Sequence, residues 1–146
     1  MTNEEQKIFL QLLNQKKNCL EKILEMTKER KFSVVEEDVE RFYNFFQKRE
    51  KLFEKCSNIQ NKISFYNIDD EDKNSFFYTE VQKTKEETRE VIAQIIDIDQ
   101  KNRLIMNKLL QLVKNNLKNL KVSKQVRQGY GEFFPAETYG TFDSKN

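Results

Sequence analysis

The first 128 residues contain no glycine and no proline; all three glycines and the single proline fall at Gly129, Gly131, Pro135 and Gly140. A chain without either helix breaker over that length has few ways to build the tight turns that sheets need, so it points to an all-α fold ending in a short non-helical tail. Within this run the apolar residues recur every three to four positions. From Thr79 to Leu120 they are Val81, Ile92, Ile95, Ile98, Ile105, Leu109 and Leu112, then, with a slight drift, Val113, Leu117 and Leu120. That period is the mark of an amphipathic helix with a coiled-coil-like seam.

The same reading divides the first 128 residues into three helices, over about 3–30, 34–66 and 70–127. Together they form one domain, 1–128, with residues 129–146 as the tail. Thr2 with Glu5 makes a capping box for the first helix, and Ser33 with Glu36 makes one for the second. Asp69 is the expected N-cap of the third, because the acids of Asn67–Asp72 suit the positive end of a helix dipole. That run is contiguous and lacks a central glycine, so it does not have the spacing of a calcium loop. Phe42, Tyr43, Phe45 and Phe46 are read as core. Arg49 interrupts the second helix's seam, where its aliphatic stem can cover apolar surface. Asn102 and Asn116 occupy seam positions of the third, either fixing register or turned to solvent.

The predicted architecture is an elongated antiparallel bundle of three helices, the third very long. Hydrophobic residues make up 37% and charged residues 34% of the chain. That is short of core for a compact globule but sufficient for a narrow seam. A helix over 70–127 would be about 85 Å long, against about 45 Å for each of the others. If it runs back along the second helix, it is covered only to about Gln100. Its stripe nevertheless continues through Leu104, Ile105, Leu109, Leu112, Val113, Leu117 and Leu120. An uncovered stripe of that length marks an interaction site.

Charge changes at the same place. Gln100 to Gly131 holds no Asp or Glu but eight basic residues, Lys101, Arg103, Lys108, Lys114, Lys118, Lys121, Lys124 and Arg127. The rest of the chain, with 18 basic and 24 acidic residues, carries −6. An acidic amphipathic partner helix would satisfy both stripe and charge. Lys108, Lys114 and Lys118 are therefore grouped with the stripe, as are the tail aromatics Tyr130, Phe133 and Phe134. Tyr139 and Phe142 complete a tail too aromatic for a disordered segment, so it is expected to dock on its own bundle or on a partner.

Enzymatic function is not expected. The chain has no histidine, no phosphate-cradling glycine loop, no nucleophile elbow and no Cys-x-x-Cys pair. No cofactor, metal or small molecule is implied. Cys19 and Cys56 are expected to be free thiols about 13 Å apart along the helices, beyond disulfide reach, in a reducing compartment. The N-terminus lacks a signal-peptide core and no apolar run could span a membrane, so the expected location is cytoplasmic. A nucleic-acid partner fits the basic helix, but that helix is also strongly apolar and the pI is only 8.4. A membrane surface fits less well, because tryptophan is absent. A self-assembling coiled-coil scaffold, or a homodimer, is the alternative to a foreign partner.

Three segments resemble the FlgN/FliT-type flagellar export chaperones. Gln47-Lys48-Arg49-Glu50-Lys51-Leu52-Phe53 is similar to the Arg-Glu-x-Leu-hydrophobic core of that family's second helix. Ile95 to Ile105 is similar to its third-helix pattern of a hydrophobic residue, Asp and Asn. Thr141-Phe142-Asp143-Ser144-Lys145 resembles its short terminus, although Phe and Asp are contiguous here. The resemblance implies a small cytoplasmic all-α protein of bacterial origin. It would bind a helical segment of a hook-associated or filament-cap subunit, keep it unassembled, and deliver it to the type III export apparatus. It also implies that the C-terminal helix region, here Leu104 to Leu120, meets the subunit.

Overall fold

In the computed structural model the chain is described over residues 1–29 and 31–120, with side chains placed as far as Asn116. Among the described residues all regular structure is helical: α1 (Asn3–Glu29), α2 (Glu36–Ile63), α3 (Phe76–Lys101) and α4 (Arg103–Leu120), with one 3-10 turn at Asp72–Asn74. The all-α prediction holds, but the count of three and the very long third helix do not. That helix starts at Phe76, not near residue 70, and is divided at Asn102. The predicted stretch 121–127 and the tail, with Tyr130, Phe133 and Phe134, lie outside the described residues.

Helix α1 starts as expected. The Glu5 amide donates to Thr2 Oγ1 at 3.1 Å, and Glu5 Oε1 accepts from the Thr2 amide at 3.5 Å. Helix α2 does not start from a Ser33 capping box. Its N-cap is Val35, in extended conformation and without a side-chain cap, and the Ser33 amide donates instead to Asp38 Oδ2 at 2.6 Å. At α3 the cap is Ser75, whose hydroxyl oxygen accepts from the Tyr78 amide at 3.3 Å. Asp69 acts one step earlier, accepting from the Asp72 amide at the 3-10 turn.

Side-chain contacts set the registers. Lys16 Nζ donates to Gln60 Oε1 at 2.9 Å across the antiparallel pair α1/α2. This places Cys19 level with about Cys56, not with residue 47. The physical cause is the connection between the helices. Past α1 the chain is no longer helical and runs alongside the first turns of α2, with Phe32 packed on Phe42 and Phe45 at centroid distances of 5.5 and 5.3 Å, before it turns back at Ser33–Val35. The first turns of α2 therefore project beyond the end of α1. The two cysteines, expected to be far apart, are core neighbours.

Helix α3 packs along α1, not α2 as the sequence suggests. Phe9 meets Phe77 at 6.0 Å, and Lys17 pairs with Glu87, so the two helices run parallel about 70 residues apart in sequence. By that register α1 ends at Glu29, opposite Asp99. Past this point α3 has lost its main partner. The backbone leaves helical geometry at Asn102 (φ −97°, ψ 3°), and α4 goes on to pack against α2. The projecting turns of α2 and the continuation of α3 thus cover each other.

At the opposite end, Asp72 ties three segments together. It accepts from Gln6 Nε2 at 3.0 Å, from the Met1 ammonium at 3.3 Å and from the Asp69 amide at 3.3 Å. Burial pushes the Asp72 carboxyl up, but these hydrogen bonds outweigh it and hold it below the ordinary carboxylate range. A carboxyl depressed in the folded state contributes stability above its unfolded pKa and loses it as pH falls through the folded value. Acid unfolding of the wild type should therefore steepen below the ordinary carboxylate pKa. In Asp72→Asn that part of the pH dependence should be missing, as followed by chemical denaturation at stepped pH.

Candidate protein-binding site at the Asn102 break

The break places a buried ion pair beside an open apolar groove. Arg49 Nη1 and Nη2 donate to the two carboxylate oxygens of Asp99 at 2.9 and 2.7 Å. The guanidinium is 0% exposed and lies between the rings of Phe45 and Phe53, 5.5 and 5.4 Å from their centroids. A bidentate pair stacked on aromatic faces is the arrangement that best offsets the desolvation of arginine. Arg49 is therefore not an interruption covered by its stem. It is the charged clamp that fixes the end of α3 against α2, one turn before the break.

Next to it lies a groove of about 420 Å3. Phe32, Phe45, Ile98, Ile105 and Met106 supply apolar walls, and Thr27, Arg49, Asp99 and Asn102 supply polar ones. Lys28 and Lys31 also line it. Asn102 neither fixes a seam register nor faces open water: it is half-buried at the break and lines this groove.

The predicted stripe divides between two faces of α4. Leu109 is 0% and Val113 2% exposed, and both belong to the main core together with Met106 and Leu110. They are not a free surface, because α2 covers them. Leu104, by contrast, is 67% exposed and Ile105 37%. Leu112 is half-buried at the edge of the core. Lys108 and Lys114 are exposed on the outer side of the helix. The side chains of Leu117, Lys118 and Leu120 lie outside the described residues. What remains accessible is therefore a narrower feature than the sequence implies. It comprises Ile105 in the wall of the groove and Leu104 beside it in sequence, with Arg103, Lys108 and Lys114 exposed on the same helix.

Sequence reasoning missed the groove's other walls, Lys28, Lys31, Phe32 and Phe45. They come from the end of α1, the connection that follows it and α2. Arg49, Asp99 and Asn102 all stood in the segments quoted for the family resemblance. Nothing in their spacing, however, told that the first two would meet.

Residues 17–132 match the family model described as Flagellar protein FliT. The chain belongs to the FliT family. The match spans the second half of α1 and all of α2, α3 and α4, so it includes the Arg49–Asp99 pair, the groove and Leu104 to Leu120. Tyr130 falls inside the matched range, and Phe133 and Phe134 fall just beyond it. No curated protein and no solved structure matches the chain at a significant level. FliT proteins are a flagellar export chaperone family and not an enzyme family. No group of side chains able to hold a metal, and no helix long and apolar enough to cross a membrane, occurs among the described residues.

Proposed function

We propose that this FliT-family protein is a cytoplasmic chaperone for a flagellar subunit of the hook-associated or filament-cap type. It holds an amphipathic helical segment of the subunit at the groove beside the Asn102 break. The observation that carries this reading is an apolar groove whose wall includes the exposed Ile105, with the still more exposed Leu104 next to it on α4 and basic residues in both. Lys28 and Lys31 line the groove, and Arg103, Lys108 and Lys114 are exposed on α4. An apolar side chain of the client fills the groove, and acids flanking it meet the lysines. Charge complementarity of this kind sets orientation and association rate more than affinity. Burial of the subunit's own assembly surface then lowers its free concentration by mass action and keeps it from polymerising until the type III export apparatus receives it.

A client fits this face better than a second copy does. Two copies pairing through it would set Lys108 and Lys114 of one against the same residues of the other. A nucleic acid fits less well than a protein, because the exposed centre of the site is aliphatic.

Leu104→Glu combined with Ile105→Glu tests the site. Both side chains are already exposed, so the fold should be retained, as read by circular dichroism and the thermal midpoint. Capture of the subunit should fall by at least about tenfold, equivalent to about 1.4 kcal/mol. Undiminished capture by a folded double variant would place the client elsewhere.

A further inference from the structure

Cys19 and Cys56 are the nucleophilic side chains that the chaperone reading leaves unused. Both are buried free thiols in the main core, on facing positions of α1 and α2. The Lys16–Gln60 contact sets this register: three residues further on α1 and four back on α2 bring the two cysteines together. The Cys19 thiol donates to the Leu52 carbonyl oxygen at 3.2 Å, one turn of α2 from Cys56. We infer that Cys19 and Cys56 form a thiol-oxidation site, which a hydroperoxide converts into an intramolecular disulfide joining α1 to α2.

The two sulfurs have different roles. A hydrogen bond from Cys56 stabilises the Cys19 thiolate, and against the cost of burial it brings the Cys19 pKa down to about 7, with help from Lys55 and Lys22. The same hydrogen bond and burial push Cys56 up, so its proton stays in place. A thiolate at neutral pH is the attacking species in thiol chemistry, and an adjacent thiol is the resolving one. The Cys19 thiolate attacks one peroxide oxygen. The O–O bond breaks, and the other oxygen leaves as hydroxide and combines with the proton that the Cys19 thiol released, giving one water and leaving sulfenic acid at Cys19. The Cys56 sulfur then attacks the Cys19 sulfur. The S–O bond breaks, and the oxygen departs as water with the Cys56 proton. Two thiols and one peroxide become one disulfide and two waters, with two electrons passing from sulfur to oxygen.

The inference does not rest on the chaperone reading, and its test needs no client. The full chain is treated with hydrogen peroxide under native conditions and then followed by intact mass, thiol labelling after denaturation, and thermal unfolding. The expected product is monomeric, lighter by two hydrogens and without labelled thiols. Its thermal midpoint should lie about 10 °C above that of the reduced protein, because the bridge closes a long loop of the unfolded chain. Dithiothreitol should reverse both changes. Cys56→Ala should give Cys19 sulfenic acid, trapped by dimedone, with no rise in midpoint; Cys19→Ala should give neither product. Wild type that keeps both thiols after peroxide, or that links only between molecules, would overturn the inference. So would sulfenic acid accumulating in wild type as readily as in Cys56→Ala.

Discussion

Arg49→Ala should cost about 3–5 kcal/mol, the range for removing one partner of a buried ion pair. The substitution leaves the Asp99 carboxylate without the two hydrogen bonds at 2.9 and 2.7 Å that offset its burial. It also removes the guanidinium stacked between Phe45 and Phe53. For a domain of this size that is a large share of a total stability of about 5–15 kcal/mol. Asp99→Ala should cost a similar amount. The double variant Arg49→Met with Asp99→Leu should recover much of the loss, because apolar replacement of both partners restores packing without a stranded charge. Urea denaturation of the four proteins checks both the loss in each single variant and its recovery in the double one. If Arg49→Ala alone left the midpoint unmoved, the pair would not be the clamp that fixes α3 on α2.

Leu109→Ala should cost about 2–5 kcal/mol, the range for truncating a buried leucine. Leu109 is 0% exposed among the core residues of α2 and α4. Leu104→Ala, one and a half turns earlier, should change stability by less than about 0.5 kcal/mol because its side chain already stands in water. The contrast between the two leucines separates a core helix from a free one. Were α4 an unpaired overhang, both substitutions would be nearly neutral for stability, and both would weaken client capture. The comparison also shows why Leu109→Glu is a poor probe of binding: a buried carboxylate would disturb the fold before any client was added.

Much of the fold was legible in the sequence because its causes are local. The absence of Gly and Pro over 128 residues points to helices. The Thr2–Glu5 capping box forms as read, and Phe42, Phe45 and Phe46 are core. What was not legible depends on where partners end. The division at Asn102 has no glycine or proline to announce it. It follows from α1 stopping at Glu29, opposite Asp99, and that depends on the register of α1 with α3. The α1/α2 register in turn depends on a non-helical connection whose residues carry no turn signal. A reversal directly at the end of α1 was therefore the natural assumption, and it separated Cys19 from Cys56.

The same two facts reshape the site. A sequence periodicity cannot tell a stripe covered by a neighbouring helix from one left in water. The length comparison predicted a surplus of helix three beyond its partner. A surplus exists, but α2 has one as well, and the two cover each other. Leu109 and Val113 went into that contact, while Leu104 and Ile105 stayed out of it. The charge pattern needed no register to be read, and Lys108 and Lys114 stand exposed as their place in an acid-free segment suggests.

The most direct test of the chaperone account is calorimetric titration of the full chain with terminal segments of the hook-associated and filament-cap subunits encoded with it. Wild type should bind one of them saturably, at one segment per chain, and Leu104→Glu with Ile105→Glu should bind it at least about tenfold more weakly at an unchanged thermal midpoint. Equal affinity for wild type and the double variant, or no binding of any segment by wild type, would contradict it.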